Sequence, residues 1–430
     1  PSSLRQEVDP KSGDRLFERV EEGGRVFFRD VTQSAGIWSS SIGYGLGVVA
    51  TDVNQDGWLD LYVANDFHEI DYLYINNHNK TFTESSSAWL GHTSRYSMGV
   101  DAADLNRDGY PEVMTLDMLP DDPYILQKSA AEDTQEVSDI KLAFGYGPQN
   151  VRNALQLNQK SFFQEIAQWS GIEATDWSWS CLMADLDNDT RHEIFVTNGI
   201  YKRPNDLDYI HYQANMARKG GQIADGELIA KMPSLKISNY CFKSRDELKF
   251  DDVGAQWGLA DASYSSGAAY SDLDNDGDLD LVVNNVNMPA FIYRNETSPG
   301  SGKNFLKLRL KASRCQLGLS STVQVFSGSV KYMRENIATR GFLSSVPPTL
   351  HVGLGTERAD SILVRWADGQ AEMFRGAPGG EITLEQGFGK SVEEVFLEQT
   401  RSPWEVRPLA FFHREDSGFR DYDREPLIPY

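Results

Sequence analysis

Short runs in which apolar and polar residues alternate recur along the first two thirds of the chain. Pairs of such runs, separated by turn residues, predict β-hairpins. They cover residues 16–28, 73–84, 155–165 and 240–251. Another predicted strand precedes each of four acidic stretches and carries a small residue five positions before it. These small residues, which would let two backbones approach closely, are Gly47, Gly99, Ser180 and Gly267.

The acidic stretch is the most regular feature of the sequence, because the chain spells it four times with oxygen-bearing side chains at positions 1, 3, 5 and 9. Oxygen ligands on alternate residues, with a glycine for the sharp turn, are typical of calcium sites. We number the four stretches loops 1 to 4. Their side chains are Asp52, Asn54, Asp56 and Asp60; Asp104, Asn106, Asp108 and Glu112; Asp185, Asp187, Asp189 and Glu193; and Asp272, Asp274, Asp276 and Asp280. The backbone carbonyls at position 7 are predicted as further ligands, and they belong to Trp58, Tyr110, Arg191 and Asp278.

The spacing distinguishes these loops from an EF-hand, whose loop ends with a bidentate glutamate at position 12. Position 12 is held here by Val63, Thr115, Val196 and Val283. The residues after position 9 are β-branched or aromatic, so each loop is predicted to join two strands. Four or more ligands from one loop leave few coordination positions open, which favours up to four structural Ca²⁺ ions over a catalytic or ligand-bridging metal. Loop 3 departs from the others because Thr190 replaces the glycine and Arg191 adds positive charge.

A hairpin, a small-residue strand, an acidic loop and a buried strand make a four-stranded unit, which is typical of a β-propeller blade. Successive loops begin 52, 81 and 87 residues apart, whereas a blade takes about 40–50 residues. Insertions are therefore predicted at about 119–150 and 200–236, with helices over 125–144, 208–218 and 227–232. Because the chain begins in the second half of a unit, we expect earlier blades upstream and a fragment of a longer protein.

A change of pattern at residue 298 predicts a second module. Residues 1–297 are assigned to the blades, 298–388 to a small antiparallel β-sandwich or barrel, and 389–430 to a linker and the start of a further propeller. The predicted strands of the second module are 304–310, 322–326, 349–353, 361–366 and 381–385. The predicted fold class is therefore all-β, with helices confined to the insertions.

The composition of the chain excludes several classes of function and site. A formal net charge of −22 over 430 residues argues against nucleic-acid binding, which needs a basic face. The cysteines are Cys181, Cys241 and Cys315, with no zinc-like spacing, and Cys181 is predicted to lie in the core. No apolar run approaches the length of a membrane span.

No catalytic constellation stands out, so a non-enzyme is predicted. The chain lacks zinc-spaced histidine pairs, nucleophile-elbow motifs and phosphate loops. Two alternatives stay open. His68, Glu69 and Asp71 form either an acid/base cluster or an ordinary turn, and Trp177 and Trp179 form either core packing or a sugar-stacking platform.

The repeated loops resemble FG-GAP/VCBS repeats of integrin-type propellers. Residues 340–345, 350–355 and 360–369 resemble the ASPIC/UnbV domain of cartilage-acidic-protein-like proteins, with Ala367 where that family usually has proline. Residues 146–158, 175–179 and 409–429 resemble large VCBS-repeat proteins of Bacteroidota, in which a second propeller follows. This last resemblance implies an exported, often lipid-anchored protein on the extracellular face of the outer membrane, frequently linked to SusC/SusD-type uptake systems.

Two functional hypotheses follow. The preferred one is a non-catalytic, calcium-stabilised scaffold that binds a protein partner, or a glycan or peptide ligand, at the cell surface. The alternative is a polysaccharide-binding lectin, or a polysaccharide lyase or hydrolase built on a propeller. Fold alone does not choose between them.

Overall fold

A computed structural model describes residues 2–5, 7–9, 11–129, 133–219, 224–246, 248–297, 302–313, 316–377 and 379–391. The strands of the first region are β1 (Phe17–Glu22), β2 (Arg25–Asp30), β3 (Gly45–Thr51), β4 (Asp60–Asn65), β5 (Tyr72–Asn76), β6 (Phe82–Glu84), β7 (Thr93–Ser94), β8 (Val100–Ala103), β9 (Glu112–Thr115), β10 (Gln149–Asn150), β11 (Ala154–Asn158), β12 (Phe163–Glu165), β13 (Ser178–Ala184), β14 (Glu193–Asn198), β15 (Tyr240–Asp246), β16 (Lys249–Asp252), β17 (Ser265–Ser271), β18 (Asp280–Asn285) and β19 (Phe291–Tyr293). The helices are α1 (Ser2–Arg5), α2 (Ser86–Trp89), α3 (Pro123–Lys128), α4 (Gln135–Ala143), α5 (Ala167–Ser170), α6 (Leu207–Arg218) and α7 (Asp225–Lys231).

The strands form successive antiparallel sheets, which confirm the all-β, propeller-like prediction. Blade 1 is β3-β4-β5-β6, blade 2 is β8-β9-β11-β12, blade 3 is β13-β14-β15-β16 and blade 4 is β17-β18-β19. Each acidic loop connects the first and second strands of its blade. The hairpin that follows a loop, rather than the one before it, completes the same sheet, and among the described residues β1 and β2 form a separate two-stranded sheet.

The first strands of neighbouring blades lie side by side, as the small residues predicted. A Cβ added to Gly47 would lie 2.6 Å from the Met98 carbonyl oxygen, and one added to Gly99 would clash with the Trp179 carbonyl oxygen. Between the blades, apolar side chains from adjacent sheets form continuous cores. Met114, Leu155, Met183 and Ile194, for example, share the core between blades 2 and 3.

Both insertions are helical, but the first differs from its prediction. In place of one helix over 125–144, α3 and α4 are separate, and each begins at its own cap. The Asp122 carboxylate accepts the Tyr124 and Ile125 N–H groups, and the Thr134 hydroxyl accepts the Val137 N–H. The two insertions meet, because Ser129 forms a β-bridge with Asp206.

The second module is a two-sheet sandwich of β20 (Asn304–Lys311), β21 (Thr322–Ser327), β22 (Val330–Glu335), β23 (Thr349–Gly355), β24 (Ser361–Arg365), β25 (Ala371–Arg375), β26 (Gly380–Glu385) and β27 (Lys390–Ser391). The sheets are β23-β20-β26 and β22-β21-β24-β25-β27. The module is mainly antiparallel, as predicted, but the prediction missed one pair, because β26 runs parallel to β20. Strands so far apart in sequence have no turn to enforce antiparallel pairing.

The last residue of β22 and the segment that follows it pack the sandwich against the blades. The Arg340 guanidinium donates to the Asp101 carboxylate at 2.6 Å, and both side chains are buried. The Glu335 carboxylate accepts the Thr51 hydroxyl at 2.6 Å and the Asp52 N–H at 2.9 Å. The second module therefore contacts blades 1 and 2 beside their acidic loops.

Cys181 and Cys241 are free and buried, which confirms the core position predicted for Cys181. Cys315 and residues 392–430, including most of the predicted further propeller, lie outside the described residues. Among the helices described, none is both long and apolar enough to cross a membrane.

Candidate metal sites

The acid at position 9 ties each loop to itself. Its carboxylate accepts the N–H of position 2 in all four loops, at donor–acceptor distances of 2.8–3.1 Å. The pairs are Asp60 with Val53 (3.1 Å), Glu112 with Leu105 (2.8 Å), Glu193 with Leu186 (2.8 Å) and Asp280 with Leu273 (2.8 Å). Because all four loops share this hydrogen bond, the four stretches are copies of one structural element.

Positions 1, 3 and 5 curl around the same centre. The N–H of position 5 donates to the side-chain oxygen of position 3 in every loop, at 2.9–3.3 Å. The N–H of position 6 donates to the position-1 aspartate in loops 1 to 3, at 2.8–3.0 Å. The turn requires left-handed backbone at position 6, which Gly57, Gly109 and Gly277 adopt readily and Thr190 adopts at φ 87°.

Carboxylate oxygens converge most closely in loops 3 and 4. Ligand atoms of Asp185, Asp187 and Glu193 lie within 4.8 Å of one another, as do those of Asp272, Asp274 and Asp276. Either cluster could hold a metal ion. In loops 1 and 2 the third position is an asparagine, Asn54 or Asn106, which offers a neutral oxygen instead.

Several of these oxygens are buried without a hydrogen-bond donor, which is unusual for carboxylates in proteins. They are Asp104 Oδ1, Glu193 Oε1, Asp272 Oδ1 and Asp276 Oδ2. A divalent cation takes oxygen ligands of this kind. The donor set therefore fits Ca²⁺, with side chains at positions 1, 3, 5 and 9 available to hold it. The role of the position-7 carbonyls of Trp58, Tyr110, Arg191 and Asp278 as further ligands stays a prediction.

The electrostatics of the loops favour added positive charge. Burial, together with neighbouring carboxylates, raises the pKa of Asp52 to about 6 and that of Asp60 to about 7. Burial raises the pKa of Asp104 to about 6 and that of Asp185 to about 7, with loop neighbours adding to the effect. Burial also raises the pKa of Glu112 and Glu193 well above the ordinary range. A bound cation would offset this cost.

Loop 3 already contains a cation from its own chain. The Lys243 ammonium contacts the Asp187 carboxylate, lies 2.6 Å from Asp189 Oδ2 and lies 3.5 Å from Glu193 Oε1. Sequence reasoning missed this lysine because it lies on β15, fifty residues after the end of the loop. Loop 4 has flanking cations, with Lys307 3.0 Å from Asp272 and Arg294 2.9 Å from Asp274.

The alternative sites from the sequence have structural partners. Glu69 pairs with Arg5 at 2.8 Å, whereas the buried Asp71 accepts from the Tyr62 hydroxyl and the Asn65 N–H. These two carboxylates thus serve separate contacts and not a shared acid/base site. Trp179 packs on Phe342, with ring centroids 4.9 Å apart, and donates to the Gly199 carbonyl. This favours the packing interpretation of Trp179 over a sugar platform.

Comparisons with known proteins agree with this geometry. Residues 23–115, which include loops 1 and 2, match the family described as FG-GAP-like repeat. Residues 312–390, which cover most of the sandwich, match the family described as ASPIC and UnbV. The chain is therefore similar to FG-GAP repeats over one segment and to ASPIC/UnbV domains over another. Loops 3 and 4 extend the same wiring beyond the matched repeat segment.

The FG-GAP and ASPIC/UnbV combination is shared with cartilage acidic protein 1. The chain is 22% identical over 369 residues to the protein of Mus musculus, covering 85% of this chain and 47% of that protein. It is 22% identical over 381 residues to the protein of Homo sapiens, covering 87% and 47%. The chain thus spans about half the length of the curated relatives it matches.

Solved structures offer only distant likeness. A lectin of Agrocybe aegerita that recognises non-reducing terminal N-acetylglucosamine aligns over 67% of each chain at 13% identity, with a TM-score of 0.29. The V. cholerae biofilm matrix protein Bap1 aligns over 86% of this chain and 54% of its own at 13% identity, with a TM-score of 0.26. At these scores neither likeness carries a functional argument.

Proposed function

We propose that this FG-GAP and ASPIC/UnbV protein is a non-catalytic binding scaffold whose blades are stabilised by Ca²⁺. The observation that carries the proposal is the shared wiring of four carboxylate loops, one at the same strand junction of each blade. Each bound ion would bring the oxygens of positions 1, 3, 5 and 9 together. Because these oxygens repel one another, the ion would stiffen the first and second strands of its blade.

A non-catalytic role is supported by what surrounds the titratable groups. The buried carboxylates Asp71 and Asp101 are occupied by structural donors, and Glu69 is paired with Arg5. Propellers present loops on a rigid framework, and the helical insertions add surface around α3, α4, α6 and α7. Binding to another molecule is therefore the activity that the arrangement supports best.

The setting of this scaffold is also a proposal. We place it outside the cell, at the outer-membrane surface, as an accessory of a SusC/SusD-type uptake complex. The support is the resemblance of residues 146–158, 175–179 and 409–429 to exported VCBS-repeat proteins. Affinity isolation from native membranes, followed by mass spectrometry, would identify the partners, and recovery of the protein without any outer-membrane partner would contradict this setting.

Calcium dependence is tested by thermal unfolding. The purified chain is melted in EDTA, in excess Ca²⁺ and in excess Mg²⁺, and the bound ions are counted by native mass spectrometry. We expect Ca²⁺ to raise the Tm clearly above the EDTA value and Mg²⁺ to raise it less, because Mg²⁺ demands a stricter octahedral geometry. Equal Tm values in EDTA and Ca²⁺, with no bound ion, would overturn the proposal.

A further inference from the structure

Over the described residues, blade 4 has three strands, whereas each of the other three blades has a fourth, outer strand. In blades 1 to 3 the third strand pairs on its far side with a fourth, namely β6, β12 or β16. Among the residues that the structure describes, none pairs with the far side of β19. An unpaired strand edge presents a row of backbone donors and acceptors that can pair with another chain.

One residue of each third strand shows what the outer strand normally supplies. Leu73, Leu155 and Cys241 are each 0% exposed, and each carbonyl accepts an N–H from the outer segment. The donors are Ser85 at 2.7 Å, Ile166 at 2.9 Å and Val253 at 2.8 Å. The N–H groups of Leu73, Leu155 and Cys241 in turn donate to a side-chain oxygen of the outer segment. The acceptors are on Ser86 (2.7 Å), Glu165 (3.2 Å) and Asp252 (3.3 Å).

Ile292 is the equivalent residue of blade 4. Leu73, Leu155 and Cys241 pair with the residue two positions after the position-9 acid of their blade, and Ile292 pairs with Val282, two positions after Asp280. Its side chain is 69% exposed. Within the described part of the chain, no outer segment supplies the two backbone bonds that its counterparts make.

The outer strands of blades 2 and 3 also insert a phenylalanine between two blades, two residues before their acid. Phe163 packs on Trp89 of the preceding blade, with ring centroids 5.8 Å apart, and Phe250 lies in the core between blades 2 and 3. Trp89 and Trp257 stand at matching places, each five residues after the acid that ends an outer strand (Glu84 and Asp252).

Where blade 4 would receive such a phenylalanine, the structure has an open cleft of about 470 Å³. Its apolar wall is formed by Trp257, Leu259, Leu281 and Tyr293. A cleft of this volume is within the usual range for ligand sites, about 300–1,000 Å³. The exposed backbone edge of β19 and the apolar cleft thus lie where the outer strand lies in the other three blades.

We propose that the edge of β19 binds an extended peptide segment of a partner protein, with a phenylalanine and a carboxylate two residues after it. The phenylalanine enters the cleft against Trp257. The carboxylate accepts the Ile292 N–H, and the N–H that follows the carboxylate donates to the Ile292 carbonyl. This is binding by strand addition. The inference rests on the binding role proposed above, for which it names a partner class, and it does not require calcium.

Pairing of β19 with β19 of a second copy fits this edge less well. Strand β19 reads Phe291-Ile292-Tyr293, so a paired copy would place a tyrosine where the carboxylate is needed. A sugar would fill the cleft without satisfying the backbone of Ile292. A peptide with Phe-x-Asp/Glu meets both requirements, as the outer strands of blades 2 and 3 show.

The test uses the protein's own outer strand as the probe. A fluorescent peptide with the sequence of residues 160–172 is titrated with the full chain, and binding is followed by fluorescence polarisation. We expect saturable binding, and at least about tenfold weaker binding of the peptide that carries Phe163→Ser, because the buried aromatic side chain is lost. A Glu165→Gln peptide should bind more weakly than the parent, because a charge-assisted hydrogen bond becomes a neutral one.

A matched pair of protein variants locates the site. Ile292→Lys places a charge on the strand edge, and Leu343→Lys places one on an equally apolar residue of the second module that is 87% exposed. Both side chains project into solvent, so both variants should fold. We expect Ile292→Lys to weaken peptide binding at least about tenfold, and Leu343→Lys to leave it unchanged.

Each outcome decides the inference. No peptide binding, binding that is indifferent to Phe163→Ser, or equal effects of the two lysine variants would overturn it. A dimer by sedimentation that is lost in Ile292→Lys, without peptide binding, would overturn it in favour of a second copy. The titration is repeated in EDTA and in Ca²⁺. Peptide binding with no calcium effect on the Tm would contradict only the calcium proposal. A calcium effect on the Tm without peptide binding would contradict only this inference.

Discussion

Loops 1 and 3 share the same backbone hydrogen bonds but differ in the positively charged side chains beside their carboxylates. In loop 3, Lys243 reaches from β15 to three carboxylates, and Lys303 lies 3.5 Å from Asp187. In loop 1, the ion-pair partner found among the described residues is His78, 2.8 Å from Asp56 Oδ2. Loop 3 therefore holds cationic charge supplied by the chain, whereas under the calcium proposal loop 1 takes its cation from solution.

If loop 1 binds Ca²⁺ as proposed, the loop motif specifies a geometry for a cation and not the identity of that cation. A lysine ammonium can take the same place among the carboxylates as a metal ion, at the cost of desolvating its own charge. The two loops should consequently respond in opposite ways to calcium and to substitution. The predictions below test this contrast in order of expected effect.

The largest effect concerns position 5, where the two loops carry equivalent aspartates. Asp56→Asn should lower stability in Ca²⁺ by about 3 kcal/mol at a concentration about 100-fold above Kd, because the ion no longer binds well. It should be nearly neutral in EDTA. Asp189→Asn should instead lower stability in both buffers, because it weakens the contact with Lys243. Chemical denaturation of both variants in both buffers measures this, and equal calcium dependence would refute the contrast.

The second prediction removes the internal cation. Lys243→Gln should lower stability in EDTA by roughly 2 kcal/mol, a value reduced from that of a fully buried pair because the side chain is 28% exposed. Calcium should restore more stability in this variant than in the parent, and native mass spectrometry should find one additional bound ion. Lys80→Gln, which removes the exposed pair with Glu18, is the control and should change little.

The third prediction concerns pH in the absence of calcium. Burial, with Asp52 and Asp56 nearby, raises the pKa of Asp60 in loop 1 to about 7, from an ordinary value of 3.8. A group whose pKa is raised by folding stabilises the fold at low pH, and that contribution is lost as pH rises from about 4 to about 7. In EDTA, Asp60→Asn should therefore show a shallower loss of Tm between pH 5 and 8 than the parent chain. An identical slope would contradict the assignment.

The smallest effect concerns Thr190, which stands at φ 87° where the other loops have glycine. A β-branched residue is strained there, so Thr190→Gly should stabilise the chain by about 0.5–1 kcal/mol after the added flexibility of the unfolded state is counted. The hydrogen bond from Arg107 to the Thr190 hydroxyl is lost as well. Thr190→Ala loses that bond but keeps the strain, so it should not stabilise.

Much of the fold follows from local pattern. Alternation predicted the hairpins β5-β6, β11-β12 and β15-β16, because side chains of a strand point to opposite faces. The small residues Gly47 and Gly99 predicted the close approach of first strands. The break between α3 and α4 escaped prediction, because Asp122 and Thr134 cap two helices within a stretch whose composition is helical throughout.

The candidate site was only half accessible to sequence reasoning. Ligand types and spacing within each loop are local, so the wiring through positions 1, 3, 5, 6 and 9 could be anticipated. The contact of Lys243 with loop 3 and the single partner strand of β19 among the described residues both depend on how distant segments pack together. Spacing along the chain carries no information about such neighbours.

The sequence by itself determined four carboxylate loops, an all-β framework and two modules, because these depend on residue type and short-range periodicity. Tertiary structure alone decided which loop receives Lys243, that β26 runs parallel to β20, and that Ile292 stands at an open edge. These features arise when segments tens of residues apart pack together, and their free energy comes from contacts that exist only in the folded chain.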